Sequence, residues 1–421
     1  MRVSLSWLKQ LVQVTDSVDA LAHRLSMAGF EEEEIEDLSA RAKGVVVGFV
    51  KEREKHPNAD KLSVCQVDVG SEEPIQIVCG AKNVRAGLHV PVAMVGAELP
   101  AVNLTIKAGE LRGVSSNGMI CSLSELGLAT ESDGIAELDA LTDELPALGA
   151  PVAPILGLDD TVLELAITAN RPDGLSMVGI AREVAALTGA ALTLPDLTLK
   201  PAHELLQASH ASAEAMQAGG LYGITLIEGV DGSQVSPTWV QQRLERAGIN
   251  RVNAVVDITN VVMLEQGQPL HAFDADALEQ LTGKPVNAAS FGLRQAREGE
   301  AFIGLDDREL SLDARAQVVT CHDLPIALAG VMGSKASGVT AATGRIWLES
   351  AMFSPAAVRM TARSVGLRTA ASARFEKGLP KEMTLASSIR AMELLKELFP
   401  CEAKGLWVFG DSAADASSVW L

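Results

Sequence analysis

The first 40 residues alternate apolar and polar positions in a way that predicts a strand, a helix and a return toward a second strand. Between Val18 and Ala28, apolar residues recur at the spacing of one face of an α-helix. Asp16 or Ser17 can cap the first turn of this helix, and Gly29 can end it. The chain therefore opens with a small α/β element.

A different pattern runs from about Gly44 to Gly118. Short β-rich runs, VVVGFV, LSVCQVDVG, IQIVCG and HVPVAMVGAEL, are separated there by Gly, Pro and Asn. Runs of this length and spacing predict a small closed barrel or sandwich.

The second half mixes helical and strand-like patterns. ITANRPDGLSMVGIAREVAALTG, residues 167–189, predicts a loop that runs into a helix. Ser236 and Pro237 stand in the order of a helix start, and Gly248 can end that helix. The polar, Ala-rich residues 200–220 predict a linker. Strand-like runs lie around Val255, Phe302, Val318, Ile326 and Ile346.

Length and composition narrow the class of protein. A chain of 421 residues predicts roughly two to four domains, and 48% apolar residues exclude a disordered chain. Apolar stretches are interrupted before the ~18 residues that a membrane helix needs, and the N-terminus has no long apolar core of a signal peptide. Five scattered cysteines without a CxxC pair argue against a disulfide framework and a zinc site, and predict the reducing cytoplasm.

A formal charge of −19 argues against a nucleic-acid partner, because phosphate binding usually leaves a basic footprint. A local basic patch can still exist on an acidic protein. Three turn segments of the barrel region, HPNADKL, IVCGAKNV and RGVSSNGM, carry such candidates. From the residues alone, ordinary polar turns are the favoured interpretation. The candidate phosphate contacts are Lys61, Lys82, Asn83, Arg85 and Arg112.

The three segments together, from Val45 to Met119, resemble the oligonucleotide-fold tRNA-binding domain of phenylalanyl- and methionyl-tRNA synthetases. The segment ITANRPDGLSMVGIAREVAALTG resembles the second half of the split N-terminal domain of bacterial-type phenylalanyl-tRNA synthetase β subunits. The resemblance implies that the barrel interrupts a small α/β domain.

Three further segments carry candidate chemistry. RVNAVVDITNVVMLEQGQPLHAF offers His271, an apolar strand and the polar groups of Thr259 and Asn260. RIWLESAMF places Glu349 after an apolar run, and GLRTAASARFEKG supplies small residues for a pocket. A lone histidine is more often a core residue than a catalyst, and spacing alone does not join the three segments.

Together with ALAGVMG, these segments resemble the editing domain of the same β subunits, which hydrolyses tyrosine wrongly attached to the phenylalanine tRNA. The resemblance implies a pocket in which Glu349 reads the tyrosine hydroxyl, with His271 nearby. Backbone N–H groups from Gly330 to Gly333 would stabilise the oxyanion. The remaining pocket residues implied by the matching motifs are Arg251, Thr259, Asn260, Ala329, Thr369 and Ala371.

The resemblance implies a multidomain α+β protein with an inserted oligonucleotide-fold β-barrel and a mixed α/β editing domain. Residues 1–40 and 152–199 would form the split domain, 41–151 the barrel and 200–400 the editing domain. Residues 401–421, whose strand-like GLWVFG has no evident partner, would begin a further, truncated domain.

In this family the β subunit works in an α₂β₂ assembly, with ATP and Mg²⁺ chemistry on the α subunit. The implied partners are the phenylalanine tRNA and that α subunit, with no cofactor or metal in this chain and no membrane. The chain would edit but not aminoacylate. Two rival hypotheses are a non-catalytic tRNA-binding module and a general hydrolase unrelated to tRNA.

Overall fold

The computed structural model describes residues 1–142, 144–197, 205–207 and 220–409. The chain divides into two compact units. Residues 35–162 form one, here called the barrel unit, and residues 1–34 with 163–421 form the other, here called the larger unit. The predicted linker at residues 200–220 falls largely outside the described residues. No helix of the described residues is long and apolar enough to cross a membrane.

The helices and strands of the described residues are numbered in chain order. The α-helices are α1 (Leu5–Leu11), α2 (Val18–Met27), α3 (Met177–Thr188), α4 (Thr238–Arg246), α5 (Ala254–Gln266), α6 (Ala275–Thr282), α7 (Pro355–Ser364), α8 (Ala370–Phe375) and α9 (Lys381–Leu398). The strands up to the end of the barrel unit are β1 (Arg2–Ser4), β2 (Glu31–Asp37), β3 (Val45–Lys55), β4 (Ser63–Asp68), β5 (Ile75–Cys79), β6 (His89–Met94), β7 (Glu98–Leu99), β8 (Leu104–Thr105), β9 (Gly109–Leu111), β10 (Val114–Ser116), β11 (Gly118–Ile120) and β12 (Thr161–Ala166). The later strands are β13 (Leu205–Gln207), β14 (Leu221–Glu228), β15 (Leu270–Asp274), β16 (Phe291–Gln295), β17 (Glu300–Ile303), β18 (Glu309–Leu312), β19 (Gln317–Cys321), β20 (Leu324–Leu328), β21 (Met332–Gly333), β22 (Arg345–Met352) and β23 (Glu402–Phe409).

The barrel unit is built on five strands in the order β11-β6-β3-β4-β5. In β4, Ser63, Cys65 and Val67 are buried and alternate with part-exposed residues, as expected for a strand with one face on a core. The Asn117 N–H, next to β11, donates to the Gln76 carbonyl of β5 at 2.9 Å. The two edge strands therefore meet, and the predicted inserted barrel is confirmed.

The larger unit contains a five-stranded sheet of order β13-β23-β14-β22-β15 and a four-stranded sheet of order β16-β19-β20-β21. Aromatic side chains fill the core between them, and the rings of Phe291 and Trp347 lie 5.3 Å apart. On the opposite face of the five-stranded sheet, Ser388 of α9 lies 3.4 Å from Thr225 of β14, oxygen to oxygen. This mixed α/β architecture is the predicted one.

The N-terminal part of the larger unit is a three-stranded sheet of order β1-β12-β2 with α1, α2 and α3. Ser17 accepts a hydrogen bond from the Ala20 N–H and caps α2, as the sequence predicts. Ser176 caps α3 in the same way, and Gly189 ends it in the left-handed conformation.

Two sequence-based interpretations are wrong. The run around Val255 is helix α5 rather than a strand, because Asn253 caps its first turn and its side chains are buried almost all round. A helix buried on all faces has no apolar stripe to mark its period. Residues 405–409 of the GLWVFG segment do have a partner, since β23 pairs antiparallel with β14 in the five-stranded sheet.

Candidate functional site

Two neighbouring strands place a histidine and a glutamate opposite each other. Strands β15 and β22 are antiparallel, and His271 pairs in register with Glu349. Side chains directly opposite on such strands project from the same face, with Cβ atoms about 5 Å apart. The sheet therefore joins two of the sequence segments that spacing alone left separate.

The carboxyl group of Glu349 is buried, with the residue 7% exposed. Its Oε2 accepts a hydrogen bond from the Tyr222 hydroxyl at 2.7 Å. Burial raises the pKa of Glu349 to about 7, and the hydrogen bond from Tyr222 opposes this rise. Near neutral pH the carboxyl group therefore exchanges between its ionised and protonated forms.

The imidazole of His271 is a neutral group with a free nitrogen. Its Nε2 is buried and has no hydrogen-bond partner among the described residues. Burial lowers the pKa of His271 to about 4, so the ring is uncharged at neutral pH. A neutral imidazole offers one N–H donor and one acceptor nitrogen.

A tight hairpin between β20 and β21 forms one wall of the site. The Val331 N–H donates to the Leu328 carbonyl at 2.9 Å, and Gly330 has a φ of +68°, which favours glycine. A Cβ atom on Gly333 would lie 2.3 Å from Cε1 of His271. The imidazole therefore packs directly on the backbone of this hairpin.

Only some backbone N–H groups of the hairpin are free. The Ala329 N–H donates to the Gln317 carbonyl at 2.9 Å, and the Val331 N–H is used in the turn. Within the described residues, the Gly330 N–H makes no hydrogen bond. Among these three groups, Gly330 is the one available to a ligand oxygen.

Helix α8 forms another wall, next to the hairpin. Its N-cap residue, Thr369, accepts a hydrogen bond from the Ser372 N–H and donates its own hydroxyl to the Val331 carbonyl at 2.9 Å. This bond ties the helix to the hairpin and points Ala371 into the site.

The cavity measures about 60 Å³, which is room for a few water molecules. Its lining residues belong to β15, β20, β21, β22 and α8, to the turn between β20 and β21, and to the position before β15. The lining residues are Pro269, Leu270, His271, Ala327, Leu328, Gly330, Val331, Met332, Gly333, Glu349, Ala371 and Phe375.

Five residues implied by the sequence resemblance do not line this cavity: Arg251, Thr259, Asn260, Ala329 and Thr369. Ala329 is fully buried in the hairpin, and Thr369 is the N-cap of α8. Arg251 is exposed, hydrogen-bonds to Gln241, and lines a separate pocket of about 590 Å³. Thr259 is buried in α5, where its hydroxyl donates to the Val256 carbonyl at 2.6 Å. Asn260 is half-buried on the same helix.

The sequence analysis missed two residues, one that contacts the site and one that holds a wall of the site in place. Tyr222 contacts Glu349, and the signal was present because it is the chain's single tyrosine within an apolar strand. Arg374 of α8 is buried and donates to the Leu175 carbonyl at 2.8 Å and to the Ala370 carbonyl at 2.9 Å. It thereby fastens α8 to the segment before α3, a contact that no local pattern indicates.

In the barrel unit, two of the predicted turn segments lie together. The Asn58 side chain donates to the Arg112 carbonyl at 3.0 Å, and His56 hydrogen-bonds to the Leu111 carbonyl. The exposed side chains of Lys61 and Arg112 have no ion pair among the described residues. Both charges are therefore open to solvent.

The third turn segment is used differently. Asn83 donates to and accepts from the backbone of Ile135, and Arg85 forms a bidentate pair with Glu137 at 3.0 and 2.9 Å. This pairing holds the pKa of Glu137 below its usual range. Lys82 is exposed and has no ion pair among the described residues. Of this segment's polar groups, Lys82 is the one left uncompensated.

The barrel unit also carries an open groove of about 780 Å³ between β5, β11 and the β8–β9 region. Its lining includes Lys107, Glu125 and Asp133 but none of the five predicted phosphate contacts.

Two family models match this arrangement. The "B3/4 domain" matches residues 218–400, which hold the cavity, and the "Putative tRNA binding domain" matches residues 45–144, which hold the barrel. The fold and the site thus define a protein that combines a barrel of the tRNA-binding type with a B3/4 domain.

Curated relatives indicate which family within this class the chain resembles. The phenylalanine–tRNA ligase beta subunit of Parasynechococcus marenigrum (strain WH8102) is 96% identical over 421 residues, 100% of this chain and 52% of that protein. The beta subunit of Synechococcus elongatus (strain ATCC 33912 / PCC 7942 / FACHB-805) is 52% identical over 398 residues, 94% of this chain and 48% of that protein. The chain belongs to the phenylalanine–tRNA ligase beta-subunit family and spans about half the length of the curated relatives it matches.

Solved structures are similar over parts of the chain. An N-terminal fragment of the phenylalanyl-tRNA synthetase beta subunit from Pyrococcus horikoshii is 16% identical, with a TM-score of 0.24, covering 49% of this chain and 62% of that one. A MetRS related protein from Pyrococcus horikoshii is 26% identical, with a TM-score of 0.19, covering 26% of this chain and 87% of that one.

Proposed function

We propose that this chain serves a phenylalanine–tRNA ligase in two ways. Its barrel binds the phenylalanine tRNA, and its cavity hydrolyses tyrosine wrongly esterified to that tRNA. The observation that carries the proposal is the buried Glu349 directly opposite the half-buried His271, in register beside a glycine hairpin.

In this proposal Glu349 recognises the hydroxyl group of the tyrosyl ester by accepting a hydrogen bond from it. Tyrosine differs from phenylalanine by this one group, which a synthetic site for phenylalanine cannot fully exclude. A buried acceptor reverses the preference, because it is left unpaired when phenylalanine enters, at a cost of roughly 1–3 kcal/mol or more. Sites that hydrogen-bond a substrate hydroxyl can discriminate by about 10⁴-fold.

Hydrolysis needs a positioned water and a stabilised oxyanion. The free Nε2 of His271 can hold the water, and the Gly330 N–H can donate to the oxyanion. A pKa of about 4 makes His271 a weak general base at neutral pH, so its role is to orient. A hydroxyl group of the terminal tRNA ribose is the candidate base.

A tyrosyl ring needs more room than the cavity of about 60 Å³. Met332 is the lining side chain best suited to move, because methionine is unbranched and flexible and this one is only half-buried. Substrate entry therefore displaces Met332 along with the waters.

The wider assignment follows the same family. Residues 1–40 and 152–199 form a split domain, 41–151 the RNA-binding barrel, and the editing domain begins at about 200 and includes β23. ATP and Mg²⁺ act on a separate α subunit of an α₂β₂ enzyme, which works in the cytoplasm. This chain alone hydrolyses the misacylated tRNA but does not aminoacylate.

The decisive experiment compares hydrolysis of tyrosyl- and phenylalanyl-tRNA for phenylalanine by the chain, by Glu349→Ala and by Glu349→Gln. We expect the preference for the tyrosyl ester to fall by about 10²-fold in Glu349→Ala, because the buried acceptor of the phenol is lost. The fall should be smaller in Glu349→Gln, whose single amide oxygen still accepts a hydrogen bond. Glu376→Gln, a carboxylate of the same unit outside the cavity, is the matched control and should behave as wild type.

An unchanged preference in both Glu349 variants contradicts the proposed reader. No hydrolysis by a folded wild-type chain, either alone or with the α subunit, favours a non-catalytic tRNA-binding module instead. Equal hydrolysis of small esters without RNA favours a general hydrolase.

The barrel gives a second prediction. Lys61→Ala, Lys82→Ala and Arg112→Asn should each weaken tRNA binding and reduce the slope of log affinity against log salt by about one. Asparagine is chosen at Arg112 because the backbone there has a φ of +50°.

Arg85→Gln is the control for these variants, since its charge is already neutralised by Glu137. Its salt slope should match wild type in a filter-binding titration. If the salt slope falls in Arg85→Gln but not in Lys82→Ala, the phosphate contact of this turn belongs to Arg85 and not to Lys82.

A further inference from the structure

Tyr222 occupies an unusual position behind the candidate active site. It is the only tyrosine of the chain, is 2% exposed, and lies on β14, on the far side of β22 from His271. Ile224 pairs in register with Glu349, so Tyr222 is the diagonal neighbour of that glutamate on the same face. An aromatic side chain can span this diagonal, and the hydroxyl does so at 2.7 Å.

The two oxygens of Glu349 are therefore not equivalent. Oε2 accepts the Tyr222 hydroxyl, whereas Oε1 makes no hydrogen bond to another described residue and belongs to a side chain that lines the cavity. A carboxylate with one oxygen fixed has lost most of its freedom to rotate. Its second oxygen is presented in one direction.

We propose that Tyr222 is a specificity-determining positioning residue, whose hydroxyl fixes Oε2 of Glu349 so that Oε1 receives the phenol of a tyrosyl ester. The inference rests on the proposed editing function and adds the group that sets its selectivity. The phenol of Tyr222 thus holds Oε2 of Glu349, and Oε1 is left to accept the phenol of the substrate.

The hydrogen bond has a second effect on Glu349. Burial favours the protonated carboxyl, and the Tyr222 hydroxyl favours the ionised form, which alone accepts through both oxygens. The other titratable groups near this pair are His271 on β15 and Cys321 on β19. His271 is neutral, and burial keeps the Cys321 thiol protonated, so neither competes in the neutral range.

Tyr222→Phe removes the hydroxyl and keeps the ring. The preference for the tyrosyl ester should fall roughly tenfold at pH 7, and the midpoint of its pH dependence should move upward. At higher pH, where Glu349 ionises without help, the preference should recover only in part, because the carboxylate is still not held in one orientation. Hydrolysis of the phenylalanyl ester, which has no phenol, should not follow this titration.

Phe409→Leu is the matched control, because Phe409 packs edge-on against the Tyr222 ring and has no side-chain group that could hydrogen-bond to its hydroxyl. It should keep the wild-type midpoint even if it lowers stability. A wild-type midpoint and preference in Tyr222→Phe, with the Glu349 variants impaired, would overturn the role of Tyr222 alone. Unimpaired Glu349 variants would overturn this role together with the proposed function.

A second measurement avoids an amino-acid substitution, so it does not depend on whether a variant folds. Because the chain has one tyrosine, growth on 3-fluorotyrosine labels Tyr222 alone. Fluorine makes the phenol a stronger donor, so the midpoint measured with an unlabelled tyrosyl ester should move downward, opposite to Tyr222→Phe. A midpoint that does not move, or that moves upward, contradicts the proposal.

Discussion

Gly333→Ala is expected to lower hydrolysis of the tyrosyl ester by roughly 10²- to 10³-fold while leaving the fold intact. The added Cβ would lie 2.3 Å from Cε1 and 2.4 Å from Nε2 of His271, closer than real contacts allow. The imidazole ring must then leave its position opposite Glu349. Single-turnover hydrolysis measures the loss of activity, and circular dichroism tests whether the fold is intact.

The matched control is Gly344→Ala, because a Cβ there meets no atom within 4 Å. A double-mutant cycle with His271→Ala isolates the cause. Where the imidazole is already absent, Gly333→Ala should cost little further activity. A full additional loss in the double variant would show that the hairpin itself, rather than His271, carries the effect.

Glu265→Ala is expected to destabilise the larger unit by about 3–5 kcal/mol, the usual cost of removing one partner of a buried ion pair. Glu265 is 2% exposed, accepts from Arg390 Nε at 2.8 Å, and lies 3.9 Å from Arg243 Nη1. Burial already lowers the pKa of Arg243 to about 10, a shift that Glu265 opposes. Without the glutamate, the two half-buried guanidinium groups lose most of their compensation.

Urea unfolding followed by tryptophan fluorescence is the appropriate measurement, because all five tryptophans lie outside residues 35–162. Glu402→Ala is the control. Its carboxylate is exposed and pairs with Lys404, so its loss should cost less than about 1 kcal/mol. Equal losses in the two variants would contradict a specific role for the buried network.

The barrel and the helix starts could be predicted from the sequence because their signals are local. Alternating strands such as β4 and caps such as Ser17 depend on residues a few positions apart. Helix α5 was missed for the converse reason, since burial on every side removes the polar face that reveals the helical period.

The candidate site was recognised through family motifs rather than through physical patterns. Register between β15 and β22 pairs His271 with Glu349, and no local pattern encodes pairing between distant strands. The same motifs implied Arg251 as a pocket residue, although it lines a different pocket here. Motifs identified the segments, while the tertiary structure decides which side chains share a cavity.

The order β1-β12-β2 of the N-terminal sheet has a consequence for synthesis of the chain. Strand β1 has β12 as its neighbour, so during synthesis β1 stays unpaired until residues 161–166 have emerged. Closing so long a loop is entropically unfavourable while the intervening chain is unfolded, and less so once it is compact. Folding of the inserted barrel before completion of this sheet is therefore the favoured order, and β1 and β2 both stay open to misassociation in the meantime.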